Sequence, residues 1–231
     1  MSGTGKSRDV ITVDGLGASG KSALARGLAA RLGYGHLNSG LLYRAVAFVC
    51  LSEGHDLSDA HAVGDSMSRH PITLTFDSDR SSVVAIDGLV RSNELLSTEV
   101  SRGASLVARH QEVRDRLIDL QRHAFEPGGV VAEGRDMGTV IFPEARVKFF
   151  VVARLDVRAE RRYQQLLGTA NETPLDTITR DLDERDRRDA TSAVGTMKQA
   201  VGAVIVDNSD EPLAVILAKM EAIVRQGGLR R

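Results

Sequence analysis

One cysteine in 231 residues, Cys50, excludes an intramolecular disulfide and fits a reducing compartment. It lies within the apolar run Ala45 to Leu51, where a core position explains it better than a nucleophile does. The six histidines show no ligand spacing, so with a lone cysteine there is no zinc site to expect. Charge of one sign is also missing: 30 basic residues stand against 31 acidic ones, for a net charge of −1. That balance argues against nucleic acid or a membrane surface as partner and points to a small molecule. No apolar run approaches the roughly 18 residues of a membrane span, and no charged-then-apolar leader opens the chain, so a cytoplasmic location is expected. Repeats and low-complexity segments are absent as well. The length suits one α/β domain with an insertion or small subdomain, and a monomer is expected.

What is present begins with the buried-strand run Val10-Ile11-Thr12-Val13-Asp14, which opens directly into Gly15-Leu16-Gly17-Ala18-Ser19-Gly20-Lys21-Ser22. This is G-x-x-x-x-G-K-S, a phosphate cradle. Its glycines let backbone N–H groups turn toward an anion, Lys21 supplies a compact charge for the outer phosphates, and the Ser22 hydroxyl can join the shell of a bound Mg²⁺. Downstream, Leu24, Leu28 and Leu32 share one helical face, which places the loop at a helix N-terminus whose dipole favours negative charge. Gly3-Thr4-Gly5-Lys6-Ser7 copies the end of the pattern without an upstream glycine or strand, and residues 1–9 are expected to form a disordered tail.

Further continuous apolar runs at Val130–Ala132, Val147–Val152 and Ala203–Val206 alternate with helical periodicity. A parallel sheet with helices on both sides follows, an α/β class. Val113, Leu117, Leu120 and Ala124 mark one core-packing helix, and Leu213, Ile216, Leu217, Met220 and Ile223 another. The alternation breaks where Ile72–Phe76 and Val83–Ile86 flank a polar tip, which predicts an antiparallel hairpin inside an inserted subdomain of about residues 64–109. From Asp156 to Leu167, Arg158, Arg161 and Arg162 fall at i, i+3 and i+4 on one helical face.

The arginines gather in polar islands: Tyr43-Arg44, Gly134-Arg135-Asp136, Arg158 with Arg161-Arg162, and Arg185-Asp186-Arg187-Arg188-Asp189. In a doubly wound sheet, loops at the carboxyl ends of the strands converge on one crevice. Phosphoryl transfer between two phosphates concentrates negative charge there, and guanidinium forks neutralise it with little reorganisation. For the last island a solvated helix also serves, through i,i+4 pairs such as Asp181 with Arg185 or Arg185 with Asp189. Glu133, after a strand, is a candidate for ordering Mg²⁺ through water.

Together these segments resemble bacterial cytidylate kinases, P-loop nucleoside monophosphate kinases that pass the γ-phosphoryl of ATP to CMP or dCMP. The resemblance is carried by the P-loop, by Asn38-Ser39-Gly40-Leu41-Leu42-Tyr43-Arg44, by Glu133-Gly134-Arg135-Asp136-Met137-Gly138-Thr139-Val140-Ile141-Phe142-Pro143, and by Arg158-Ala159-Glu160-Arg161-Arg162. It implies an α/β P-loop fold, an acceptor-binding insertion, and a small arginine-bearing lid at about residues 155–168. It implies ATP held by Gly15 to Ser22, with Mg²⁺ reached through Ser22, and a catalytic set of Lys21, Arg161, Arg162 and Arg188, with Arg158 as a further lid or near-lid charge. For the acceptor it implies Arg44 and Arg135 at the phosphate, Ser105, Arg114 and Asp136 at the base, Arg185 and Asp189 at the ribose, and Ser39 beside the nucleotide. Cytosine chemistry agrees: a carboxylate can accept from N4 while an arginine and a hydroxyl donate to N3 and O2, and uracil would set its O4 against that carboxylate.

Some positions depart from the family pattern. Ser192 stands where a phosphate-binding arginine belongs, Thr196-Met197 replaces Pro-Leu, Ala203 an aspartate, Asn38 an aspartate, and Leu16 a proline. Ser192 and Asn38 motivate one alternative, a kinase for another or modified pyrimidine monophosphate. Another is a nucleotide-binding regulatory module without turnover. No Asn-Lys-x-Asp segment supports a GTPase.

Overall fold

The computed structural model describes residues 9–124, 128–169, 171–191 and 197–227. The first apolar run forms β1 (Val10–Gly15), buried at all six positions, because strands lie on both of its sides and helices cover its faces. The other runs become β6 (Val130–Gly134), β7 (Val147–Val152) and β8 (Val204–Asp207), and together with β2 (Gly35–Asn38) they form one sheet in the order β2-β6-β1-β7-β8. Every pairing in it is parallel: Ile11 sits opposite Val131 on one side and Val147 on the other. The expected parallel α/β layout is therefore present.

On one face α1 (Lys21–Leu32) and α8 (Leu213–Arg225) close over the sheet, burying Leu24, Leu28, Ile216, Leu217 and Met220 against Ile11, Val13 and Phe149. Removing side chains of this size from water provides most of the gain in folding such a layer. Opposite lie α5 (Gln111–His123) and a single π-helical turn, Met137–Ile141, whose Met137 and Ile141, with the following Phe142, pack on Leu37, Val130 and Ala132.

The expected hairpin is present as β3 (Ile72–Phe76) and β4 (Ser82–Ile86), paired from Ile72 opposite Ile86 to Phe76 opposite Ser82, and β5 (Leu89–Val90) adds a short third strand. The hydrophobic unit around it is wider than residues 64–109. It takes in α2 (Gly40–Ser52), α3 (Ala60–Arg69), α4 (Thr98–Val107) and α5, from Leu42 to Leu117. Cys50 is fully buried in this unit, a core residue as its apolar neighbours imply. The arginine-bearing segment forms α6 (Leu155–Leu166), packed through Ala159 and Leu166 on Ile178 and Leu182 of α7 (Leu175–Thr191).

Residues 1–8 of the expected tail lie outside the described residues. Asp9 does not belong to a disordered tail: its carboxylate accepts two hydrogen bonds from Arg146, both 2.8 Å, and its carbonyl accepts from Val130 N–H. These bonds start the sheet register one residue before β1.

Candidate functional site

The carboxyl ends of β1 and β6 meet the N-termini of α1 and α2 in a cleft of about 810 Å³. Its lining carries nine basic side chains against five acidic ones, so the cavity is built for anions. At its floor the chain leaves β1 at Gly15, where any Cβ would run into the Val151 carbonyl, and enters α1 through Gly20 at φ 85°. The N-cap residue Gly20 offers no side chain to cap α1, which leaves first-turn N–H groups to a ligand.

Lys21 is half-buried, and among the described residues its only hydrogen bond is a long one, 3.4 Å to the Leu16 carbonyl. Burial and the positive charges of Arg135 and Arg185 push its pKa down to about 8. Arg44 is lowered for the same reasons: burial first, then Arg185 and Arg162. Among the described residues neither has an acidic ion-pair partner, nor do Arg161, Arg162 or Arg188, and Nη1 of Arg161 is buried with no partner. Uncompensated cations around a hollow imply that the charge they need arrives with the ligand.

Further into the cleft the charges are paired. Arg114 of α5 and Asp136, both almost wholly buried, form an ion pair, and Arg114 stacks 5.8 Å above the Tyr43 ring. Arg135, half-buried and lowered to about 10 chiefly by desolvation, binds Asp189 of α7, which Arg185 also approaches at 3.9 Å. Asp14 sets the turn that carries Asp136. Its carboxylate accepts from Met137 N–H and Gly138 N–H, 2.8 Å each, and burial raises its pKa in spite of those bonds.

Beside Lys21, the Glu133 carboxylate accepts the Ser22 hydroxyl at 2.6 Å and faces Nε2 of His36 at 3.0 Å. Burial opposes its charge, but the His36 bond and the Lys21 ammonium outweigh it and hold the pKa below the usual range. Ser39 Oγ donates to the Glu133 carbonyl at 2.8 Å.

Of the positions expected in the site, Gly17, Ala18, Gly20, Lys21, Ser22, Ser39, Arg44, Ser105, Arg114, Arg135, Asp136, Arg161, Arg162, Arg185, Arg188 and Asp189 all line this one cleft. Gly15, Leu16 and Ser19 shape the loop from behind. Arg158 does not join its neighbours: it is buried at the base of α6, bonded to the Ala153 carbonyl at 2.9 Å, the Gly17 carbonyl at 3.3 Å and Asp186 at 2.7 Å. It ties α6 to the loop and to α7. Asp181 pairs with Arg102 of α4 rather than with Arg185. Ser192 and Thr196 lie outside the described residues. The residue patterns had not singled out Asn208, whose side-chain amide donates to the Ser19 carbonyl at 2.7 Å, or His36 and Asp14. A polar residue at or just after the end of an apolar strand run was the only signal available for Asp14 and Asn208; His36 had none.

Comparison with known proteins agrees with this geometry. Residues 11–226 match the family model described as cytidylate kinase. A cytidylate kinase of Xanthobacter autotrophicus is 40% identical, over 93% of this chain and 96% of its own length. Those of Pelotomaculum thermopropionicum and Ralstonia nicotianae are 37% and 39% identical, each over 94% of this chain and over 96% and 92% of their own.

Proposed function

The chain belongs to the cytidylate kinase family, and on that premise we propose that it transfers the γ-phosphoryl of ATP to CMP or dCMP, yielding ADP and CDP or dCDP. The observation that carries this reading is the pairing, in one cleft, of an uncompensated cation cluster with a buried Arg114–Asp136 pair at its far end. Phosphates satisfy the first, and the pairing edge of cytosine, with its N4 donor and N3 and O2 acceptors, matches the second.

In this reading the uncapped start of α1, with Lys21, holds the donor phosphates, and Arg161, Arg162 and Arg188 meet the transferred group. Arg44 and Arg135 receive the acceptor phosphate, Ser105, Arg114 and Asp136 the base, Arg185 and Asp189 the ribose, with Ser39 alongside. The acceptor phosphate is already a nucleophile, so no general base is required; the residues align it in line and exclude water. The donor set fits Mg²⁺: Ser22 offers a hydroxyl oxygen whose O–H is directed at Glu133, leaving its lone pairs free, and the Glu133 carboxylate beside it could hold a water. When bound, Mg²⁺ neutralises phosphate charge. A monomer in the cytoplasm, with small nucleotides as its partners, completes the proposal.

Steady-state assays with ATP, Mg²⁺ and a panel of nucleoside monophosphates test it. CMP and dCMP are expected to exceed UMP in kcat/KM by about 10²-fold or more, since a misplaced buried polar group discriminates strongly. Another monophosphate ranking far above both overturns the assignment.

A proton-linked effect follows from Lys21. Between about pH 8 and 9 much of this side chain is neutral in the free protein, and phosphates restore its charge. ADP binding at pH 8.5 is therefore expected to take up a proton, and binding at pH 6.5 to take up none at Lys21. Calorimetry in buffers of different ionisation heat reads this, with Lys21→Met removing the uptake at pH 8.5.

A further inference from the structure

The tip of the β3–β4 hairpin covers the β2 edge of the main sheet. His36 N–H donates to the Arg80 carbonyl at 2.8 Å, Asn38 N–H to Ser82 Oγ at 2.9 Å, and His36 forms a parallel bridge with Ser81. The Arg80 guanidinium folds back onto the Gly33 carbonyl. The backbone of His36 is thereby held between the hairpin tip and β6, and its ring, 3% exposed, reaches only inward to Glu133.

Two polar side chains, His36 and Glu133, are thus buried where apolar residues would fill the space at lower cost, and the half-buried Ser22 at the edge of the cleft completes the row. A carboxylate has no proton to give, so in the 3.0 Å contact Nε2 of His36 is the donor and Oε1 of Glu133 the acceptor. With Oε1 held, Oε2 has one orientation and accepts the hydrogen bond from the Ser22 hydroxyl. A hydroxyl whose O–H is directed this way presents only lone pairs on its other side.

We infer that His36 is a positioning residue for the donor-side cation: by fixing the Glu133 carboxylate it holds the Ser22 hydroxyl with its lone pairs free for Mg²⁺. This rests on the donor site proposed above and extends it to a residue that touches neither nucleotide. Partners that orient a ligand from behind typically alter metal affinity by about 10- to 100-fold when lost.

Calorimetric titration of the full chain with ADP, with and without Mg²⁺, tests the inference. His36→Leu is expected to remove about 10-fold of the affinity gained from Mg²⁺ while leaving metal-free ADP binding within about twofold. His36→Gln, whose amide can donate over a similar reach, restores the gain, and His36→Asn, too short, does not. If the leucine variant fails to fold, the asparagine variant takes its place. On a Ser22→Ala background, the His36 substitutions add nothing to the Mg²⁺ response. In turnover, the half-saturating Mg²⁺ rises and the KM for CMP stays put. An unchanged Mg²⁺ gain in the leucine and asparagine variants overturns the inference, as does loss of metal-free binding in step with melting temperature, or a glutamine variant no better than leucine. A wild-type protein with no Mg²⁺-linked gain overturns the donor site itself, a result separate from these.

Discussion

Replacing Lys21 by methionine is expected to lower kcat by about 10³-fold while the protein stays folded. The ammonium lies at the start of α1, half-buried and lightly bonded, beside Arg135 and Arg185, whose charges repel it. Methionine has nearly the same length and needs no solvation there, so the fold loses one weak hydrogen bond and a cation that its surroundings disfavour. The melting temperature is expected to hold or rise. The transferred phosphoryl, in contrast, loses the nearest compact charge on the donor side, at the moment when negative charge is spread over its oxygens. Assays with saturating CMP and ATP, alongside thermal melting, separate the two effects. Full activity in this variant would show that the donor phosphates bind elsewhere.

The other large effect concerns Asp136. Asp136→Asn is expected to reduce the ratio of kcat/KM for CMP over UMP by about 10²-fold, since an amide can offer a donor to O4 of uracil. The substitution also leaves Arg114 buried without its counter-charge, and breaking such a pair costs about 3 kcal/mol or more. Part of the protein is then unfolded at assay temperature, and absolute rates fall for that reason alone. The ratio between two acceptors is immune to this, because both are read from the same folded fraction. Paired competition assays with CMP and UMP measure it, and an unchanged ratio would remove Asp136 from base recognition.

How much of this was legible in the chain depended on the range over which each feature is decided. The P-loop was legible because a strand, a glycine turn and an amphipathic helix follow one another without a gap. The β3–β4 hairpin was legible for the same reason, as two apolar runs around a polar tip. The four residues of β2, Gly-His-Leu-Asn, carry no strand signature. Their conformation comes from β6 and the hairpin tip, 44 residues away in the Asn38–Ser82 contact. Arg158 shows a different limit. Helical spacing correctly groups it with Arg161 and Arg162 by angle, but spacing says nothing of depth along the axis, and one turn nearer the sheet the side chain meets Gly17 and Asp186 instead of the cleft. Asp189 shows why local pairing rules mislead: the expected i,i+4 partner Arg185 is left at 3.9 Å because Arg135, 54 residues earlier, reaches the same oxygen.

The carboxylate of Asp14 ends the strand that launches the donor loop, yet both of its hydrogen bonds go to the turn that displays Asp136. Grafting a foreign base-reading turn into this scaffold therefore means grafting its β1 terminus too. A chimera that swaps one without the other strands a buried acid, so changes of acceptor are constrained to arise with that junction kept whole.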